Sequence, residues 1–286
     1  MIIDSHAHYS HASYKNTLRY LTRNEDGYCL AEGDLPQILQ EMRDAHILCS
    51  IEPGISLASN EAVLQLCNAY PDRIFPAMGV HPTRAIHESW RDRKRLKALA
   101  EAEGVIAIGE TGLDYHYPRQ EQQRMKQHVW FLYQLDLAWK RKMPVILHVR
   151  DAHKDALRIL KRHPARHLGG VVHCFNADWE IARKYLALGY HIGIGGAVLQ
   201  LPERAEPLWD AVRQIPLNRI LLETDAPYIL PYCKDTIKPK QLRRARNSSL
   251  ILPDVAAKIG ALQGVSAETV ERITTENALR LFRLPI

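Results

Sequence analysis

No apolar run in the sequence approaches the roughly 18–20 residues that a membrane-spanning helix needs, so no membrane association is expected. The segment Met1–Ser10 has neither a basic start nor an apolar core, which argues against a secretory signal there. Five cysteines, Cys29, Cys49, Cys67, Cys174 and Cys233, form no CxxC pair and no regular framework. A disulfide scaffold or zinc ribbon is therefore not expected, and reduced thiols in the cytoplasm are. There is no GxSxG elbow, no P-loop and no GxGxxG opening a helix after a strand, which weighs against the chemistries those motifs serve. No linker, low-complexity tract or tandem repeat interrupts the chain, so residues 1–286 are expected to form one domain. That length suits a single barrel, a fold that commonly runs to about 250 residues or more.

What is present is patterned. Short runs rich in Val and Ile recur at Ile2–Ser5, Ile47–Glu52, Ile74–Val80, Val105–Gly109, Val145–His148, Gly170–His173, Tyr190–Gly195 and Ile220–Glu223. Nearly continuous apolar character marks strands buried on both faces, as in parallel sheets. Helical stretches fill the intervals: 34–45, 59–70, 93–103, 119–142, 152–163, 178–188 and 203–215. In the 119–142 stretch Val129, Leu132, Leu135 and Leu137 are among the apolar positions, and Asp151 and Asp178 stand where N-caps are needed. Two more helices, about 250–262 and 267–280, follow the last strand. Eight strands alternating with helices predict right-handed βαβ units closed into a (β/α)8 TIM barrel with additional C-terminal helices. The polar segment Tyr9–Gly33 reads as a loop insertion over the barrel mouth.

Barrel enzymes carry reactive residues at the C-terminal ends of their strands. Six predicted strands deliver histidine or a carboxylate to that rim: His6 and His8, His81, Glu110, His148, His173, and Asp225 with Glu223. Buried charges are costly unless paired or bound to metal. His6 and His8, at i and i+2 on a strand, point the same way and can grip one ion. Four imidazoles (His6, His8, His148, His173) and two carboxylates (Glu110, Asp225) exceed what one ion with an open position needs. They supply two divalent ions with one carboxylate shared. Glu110 lies between Gly109 and Gly112, which let backbone approach closely. Asp225, ahead of Ala226-Pro227, is a candidate both for ligand and for proton acceptor from a water whose pKa an ion lowers from 15.7 towards about 7. Glu223, on the same face, reads as a supporting group or substrate contact. His81, Arg150 and Asn247 are candidate donors to a phosphate oxygen, and Gly193–Gly196 reads as a tight turn.

These motifs resemble those of the TatD-type metal-dependent deoxyribonucleases. The resemblance runs from Asp4-Ser5-His6-Ala7-His8 through Gly79-Val80-His81-Pro82 and Gly109-Glu110-Thr111-Gly112-Leu113-Asp114-Tyr115. It continues through Val145-Ile146-Leu147-His148 and Val172-His173-Cys174-Phe175 to Leu222-Glu223-Thr224-Asp225-Ala226-Pro227. It implies an amidohydrolase-like barrel in which His6, His8 and Asp225 hold one ion, His148 and His173 the other, Glu110 bridges, and His81 contacts the scissile phosphate. It also implies metal-dependent cleavage of DNA, often as a 3′-to-5′ exonuclease on single strands. The chain reads Arg246-Asn247-Ser248-Ser249 where the family usually runs Arg-Asn-Glu-Pro, and Val149 where a small hydroxyl residue is common.

The expected function is therefore phosphodiester hydrolysis in DNA, single strands preferred, with two ions drawn from Mg, Mn or Zn. The net charge is +6, and the stretch 234–246 holds Lys234, Lys238, Lys240, Arg243, Arg244 and Arg246 against Asp235. A second basic cluster spans Arg91–Lys97. The 234–246 loop follows the eighth strand and can track a nucleic-acid backbone, with Tyr115, Tyr117, Tyr228 and Tyr232 as candidate stacking surfaces. One alternative is a hydrolase of a small phosphoester, ester or amide, which deep apolar rim loops would favour. Another is a metal-binding scaffold without catalysis, against which the complete ligand set argues.

Overall fold

A computed structural model describes residues 1–25, 27–116 and 121–286. Tyr117 and the start of the expected 119–142 helix lie outside the described residues. The strands are β1 (Ile2–Asp4), β2 (Leu18–Asn24), β3 (Gly27–Gly33), β4 (Ile47–Pro53), β5 (Ile74–Met78), β6 (Ala107–Asp114), β7 (Val145–Arg150), β8 (Gly170–Val172), β9 (His191–Ile194), β10 (Ile220–Leu222) and β11 (Ala245–Arg246). The helices are α1 (Leu35–Asp44), α2 (Leu57–Ala69), α3 (Pro82–Ala85), α4 (Arg93–Ala100), α5 (Glu121–Arg141), α6 (His153–Arg162), α7 (Trp179–Leu186), α8 (Pro202–Gln214), α9 (Pro239–Leu242), α10 (Leu252–Gln263) and α11 (Ala267–Phe282).

The main sheet has eight strands in the order β1-β4-β5-β6-β7-β8-β9-β10. Its order follows the chain, as right-handed crossovers through intervening helices require. The Ser5 N–H donates to the Leu222 carbonyl at 2.9 Å, which brings the last strand back to the first. The fold is a (β/α)8 barrel with α10 and α11 appended. Among the described residues no single helix is long and apolar enough to cross a membrane.

Contacts group the chain into two compact units. The first is Met1–Ile51, Cys174–Ala182 and Gly193–Ala278; the second is Glu52–His173, Arg183–Ile192 and Leu279–Ile286. In the first, Ile2, Leu221, Leu252, Val255 and Ile259 are buried together with the inner faces of α1 and α8. In the second, the core is built from Ile74, Ala77, Ile108, Phe131, Leu135, Val145 and Leu160. Each fully buried large side chain of this kind contributes on the order of 1.5–3 kcal/mol.

Three local expectations change. β6 starts later and runs further than expected, to Asp114, because Gly109, Thr111 and Gly112 hide a strand from a hydrophobic reading. Segment Tyr9–Gly33 is more than a loop: β2 and β3 pair antiparallel, Leu18 opposite Gly33 through Asn24 opposite Gly27. The buried residues of β2, Tyr20 and Leu21, are hidden in the sequence by the charges around them. Asp151 does not cap α6. The N-cap is Ala152 without a side-chain bond, and the Asp151 carboxylate lies 3.1 Å from His116 Nδ1. Asp178 does cap its helix, accepting from Ile181 N at 2.9 Å. On α5, Leu135 and Leu137 face the core, whereas Val129 and Leu132 are exposed.

Candidate metal centre

In the first unit, β1 delivers Asp4-Ser5-His6-Ala7-His8 to its C-terminal end. Asp4 is fully buried and accepts from His6 N at 3.1 Å, Thr224 N at 3.1 Å, Thr224 Oγ1 at 2.6 Å and Ser249 Oγ at 2.6 Å. Four donors on one carboxylate fix the backbone on which the histidines stand. His8 N donates to Ala226 O at 2.7 Å and Ala7 N to Ile51 O at 3.0 Å, so the end of β1 is held on both sides. The i, i+2 alternation then turns both imidazoles to one side. Their Nε2 atoms lie 3.1 Å apart. Asp225 Oδ1 is 3.7 Å from His6 Nε2 and 3.4 Å from His8 Nε2. Asp225 adopts a left-handed φ of 53° and donates its N–H to His6 O at 2.9 Å, which turns its carboxylate towards the pair.

These three atoms fit a divalent cation. Ligand bonds of about 2.0–2.2 Å put neighbouring donor atoms about 3 Å apart around one ion. Two imidazole nitrogens facing each other at that distance beside a carboxylate form the donor chemistry of a Zn, Mn or Mg site.

In the second unit, Glu110 comes from β6 and His148 from β7. Gly112 sits opposite His148 in the parallel register. A Cβ at Gly112 would overlap the His148 carbonyl oxygen, and its φ of +148° disfavours any side chain, so glycine is required there. Glu110 is buried, and its Oε1 lies 2.9 Å from His148 Nδ1, 2.7 Å from His173 Nε2 and 3.3 Å from His81 Nε2. Burial pushes the Glu110 carboxyl up, but the charges of His173 and His81 and hydrogen bonds from His148 and His173 outweigh it, and its pKa falls well below the usual range. Burial lowers His148, but hydrogen bonds to Asp114 and Glu110 outweigh that and raise its pKa to about 9. Without a cation the group is thus a carboxylate–imidazolium cluster. A cation at His148 Nδ1 has to displace that proton, so the site fits a cation that replaces protons.

Asp114 is the neighbour of the cluster that sequence reasoning misses. Its Oδ2 is 3.1 Å from His148 Nε2, on the side of the ring opposite Glu110. A carboxylate there orients a ligating imidazole and raises its basicity. The available signal is its spacing: 110 and 114 share a face once β6 runs through both. His81 caps α3, its Nδ1 accepting from Thr83 N at 3.1 Å and lying 2.7 Å from Thr83 Oγ1. Burial and the His148 charge lower its pKa, and because Nδ1 accepts the Thr83 N–H, Nε2 is left as the nitrogen that can donate.

The remaining candidates separate. Asn247 is fully buried: Nδ2 donates to Thr224 O at 3.2 Å and Ile229 O at 3.1 Å, and Oδ1 accepts from Ser248 N at 2.9 Å. Its amide is engaged by backbone on both sides, at the Thr224 and Ile229 carbonyls and the Ser248 N–H. Asn247→Ala is expected to cost about 2 kcal/mol of stability in urea unfolding while changing KM little. A KM rise with unchanged stability would restore the substrate role. The Glu223 carboxylate accepts from Cys174 N, which commits one oxygen to backbone rather than substrate. Of the expected Gly193–Gly196 turn, Gly193 and Ile194 end β9 and Gly196 opens a 3-10 helix; Gly195 approaches the Glu223 backbone closely and Gly196 that of Ile229. Ser248 Oγ donates to Leu21 O at 3.1 Å and Ser249 Oγ to Asp4, so the altered loop is held by its serines. Tyr115 is packed rather than presented, its hydroxyl donating to Asp155 at 2.8 Å with Arg124 over its ring. The Tyr232 hydroxyl donates to Asp235 at 3.0 Å. Tyr228 is 48% exposed and Arg150 is exposed at the end of β7.

The sequence matches the TatD-related DNase family over residues 3–283. It is 31% identical over 284 residues to the uncharacterized metal-dependent hydrolase YabD of Bacillus subtilis, covering 99% of this chain and 100% of that one. It is 36% identical over 252 residues to the 3′-5′ ssDNA/RNA exonuclease TatD of Edwardsiella piscicida, covering 88% and 94%. Among solved structures, the TatD homolog YjjV of Escherichia coli K12 has a TM-score of 0.83 at 28% identity, over 99% of this chain and 98% of that one.

Proposed function

The chain belongs to the TatD-related DNase family of metal-dependent hydrolases, and from that premise we propose that it removes nucleotides from the 3′ end of single-stranded DNA in the cytoplasm, using two divalent cations. The observation that carries the metal requirement is the convergence of His6 Nε2, His8 Nε2 and Asp225 Oδ1 within 3.7 Å of one another. The substrate follows from the relative that acts as a 3′-5′ exonuclease on single-stranded DNA and RNA.

We assign His6, His8 and Asp225 to one cation and His148 and His173, with Glu110, to the other. Bound cations supply an acidified water and offset the charge that develops on the phosphate. Asp225 accepts a proton from the attacking water. His81 Nε2–H, fixed as donor by the cap on Nδ1, donates to a non-bridging phosphate oxygen. Arg150 adds a second cationic donor. Asp114 holds His148 so that Nδ1 remains the ligating nitrogen.

The test is digestion of 3′-labelled single-stranded DNA by purified protein with Mg²⁺, Mn²⁺ or EDTA. Stepwise, metal-dependent loss of label that EDTA abolishes is the expected result. Intact DNA under every metal, with turnover of a small phosphodiester, would overturn the substrate and leave the hydrolase.

A further inference from the structure

The β2–β3 hairpin has no part in the chemistry above, yet it builds a second concavity. β11 runs parallel to β2, with Ala245 opposite Arg19 and Arg246 opposite Tyr20. The basic loop after β10 is thereby stitched to the insertion as a three-stranded sheet, β11-β2-β3. A cavity of about 430 Å³ opens beside it, lined by Ser13, Arg19, Glu32, Arg244 and Arg246 among others. That volume falls in the range of about 300–1,000 Å³ typical of ligand pockets.

Its cations are not equivalent. Arg19 is matched by Glu32, Nε to Oε1 at 2.5 Å. Arg246 is aimed but not neutralised: Nε donates to Ser13 Oγ at 3.1 Å and Nη1 to Ala245 O at 3.0 Å, and neither acceptor carries charge. Arg244 is exposed and has no ion pair among the described residues. Two uncompensated guanidinium groups on one wall suit a phosphate, which the planar fork binds through paired hydrogen bonds.

A chain of neighbouring groups leads from this cavity to the His6–His8–Asp225 cluster. Ser13 N donates to His11 Nδ1 at 3.1 Å. The His11 ring lies 5.8 Å from that of Tyr228, and the Tyr228 ring 6.2 Å from that of His8. Between the cationic wall and the metal ligands there is thus a half-exposed aromatic ring. Charge for the backbone plus a flat ring for a base is the arrangement that holds single strands.

We propose that the Arg244–Arg246 cavity binds a backbone phosphate of the single-stranded DNA substrate beside the phosphate being cut, with Tyr228 as the face on which the intervening base stacks. The proposal rests on the nuclease reading and adds to it the residues that would hold the strand. An acidic peptide would use the arginines but has no need of the ring between them and the metal ligands.

The test compares wild type with Arg244→Ala and the double variant Arg244→Ala/Arg246→Gln on 3′-labelled dT12 and on bis(4-nitrophenyl) phosphate. Gln at 246 keeps a donor for Ser13, and thermal melting checks that the hairpin stays folded. The ratio of kcat/KM for dT12 to that for the small diester is expected to fall about tenfold in the double variant. The salt slope of dT12 binding is expected to shrink by about 0.7, the share of a single phosphate that the protein has ceased to neutralise. Tyr228→Leu is expected to lower the same ratio without changing the salt slope. An unchanged ratio and slope in a folded double variant, with wild type still digesting dT12, overturns the cavity alone. A wild type that cleaves the small diester and neither binds nor cuts dT12 overturns the nuclease reading and the cavity with it.

Discussion

Asp225→Asn is expected to lower kcat about 1,000-fold, the loss that removal of a general base commonly produces, while the fold stays intact. The substitution isolates the charge. Asparagine tolerates the left-handed conformation that residue 225 adopts at φ 53°, whereas a bulkier or branched side chain there is strained. The Asp225 N–H bond to His6 O is a backbone contact and survives the change. What disappears is the carboxylate that lies 3.4–3.7 Å from the two imidazole nitrogens. Steady-state kinetics with saturating Mn²⁺, thermal melting and metal stoichiometry measured together give the answer. A variant that loses less than about tenfold in kcat with full metal occupancy would remove Asp225 from proton transfer. One that loses metal along with activity would leave it a ligand only.

Glu110→Gln is expected to destabilise the metal-free protein by about 3 kcal/mol, since removing one member of a buried charge cluster strands the others. The pH dependence separates this from a packing defect. The folded Glu110 carboxyl has its pKa lowered from an ordinary 4.5 by its histidine partners, despite burial. Its contribution is therefore present above about pH 4.5 and is lost as pH falls through the depressed folded value. His148 is raised from 6.5 to about 9. Its contribution is complete below the unfolded value of 6.5 and is lost as pH rises through about 9. The gap between wild type and variant should be widest between roughly pH 4.5 and 6.5 and shrink on both sides. Urea unfolding in EDTA across roughly pH 3–9.5 measures it. A gap that stays flat with pH would mean that Glu110 acts by shape and not by charge.

Much of the architecture was legible because its cause is local. The Val- and Ile-rich runs are buried on both faces, and such runs keep their identity in one dimension. His6 and His8 were legible for a related reason, since two residues apart on a strand means one side. Elsewhere the sequence hides what packing decides. β6 contains two glycines and a threonine where an apolar reading of the strand stops, so nothing in the sequence marks Asp114 as the partner of His148. The β2–β3 hairpin buries only a few side chains, and its charged outer positions read as solvent. Asn247 looked like a donor in a basic loop. Nothing in its neighbours announces that its amide is consumed by the carbonyls of Thr224 and Ile229, residues 23 and 18 positions away. The serines at 248 and 249 are similar: their partners Leu21 and Asp4 are more than 220 residues distant. Contacts of that span are invisible to periodicity.

Gly112 has a consequence for how this chain can vary. The hydrogen at its α-carbon faces the carbonyl of His148, and there is no room for a methyl group. Every amino-acid exchange at 112 is therefore also a displacement of the histidine on the next strand, so mutational scanning should find position 112 as intolerant as a ligand, though it binds nothing. Position 112 would count as a ligand position by phenotype and as an empty one by chemistry. In a screen for loss of function the two classes would be indistinguishable until metal content was assayed on the surviving protein.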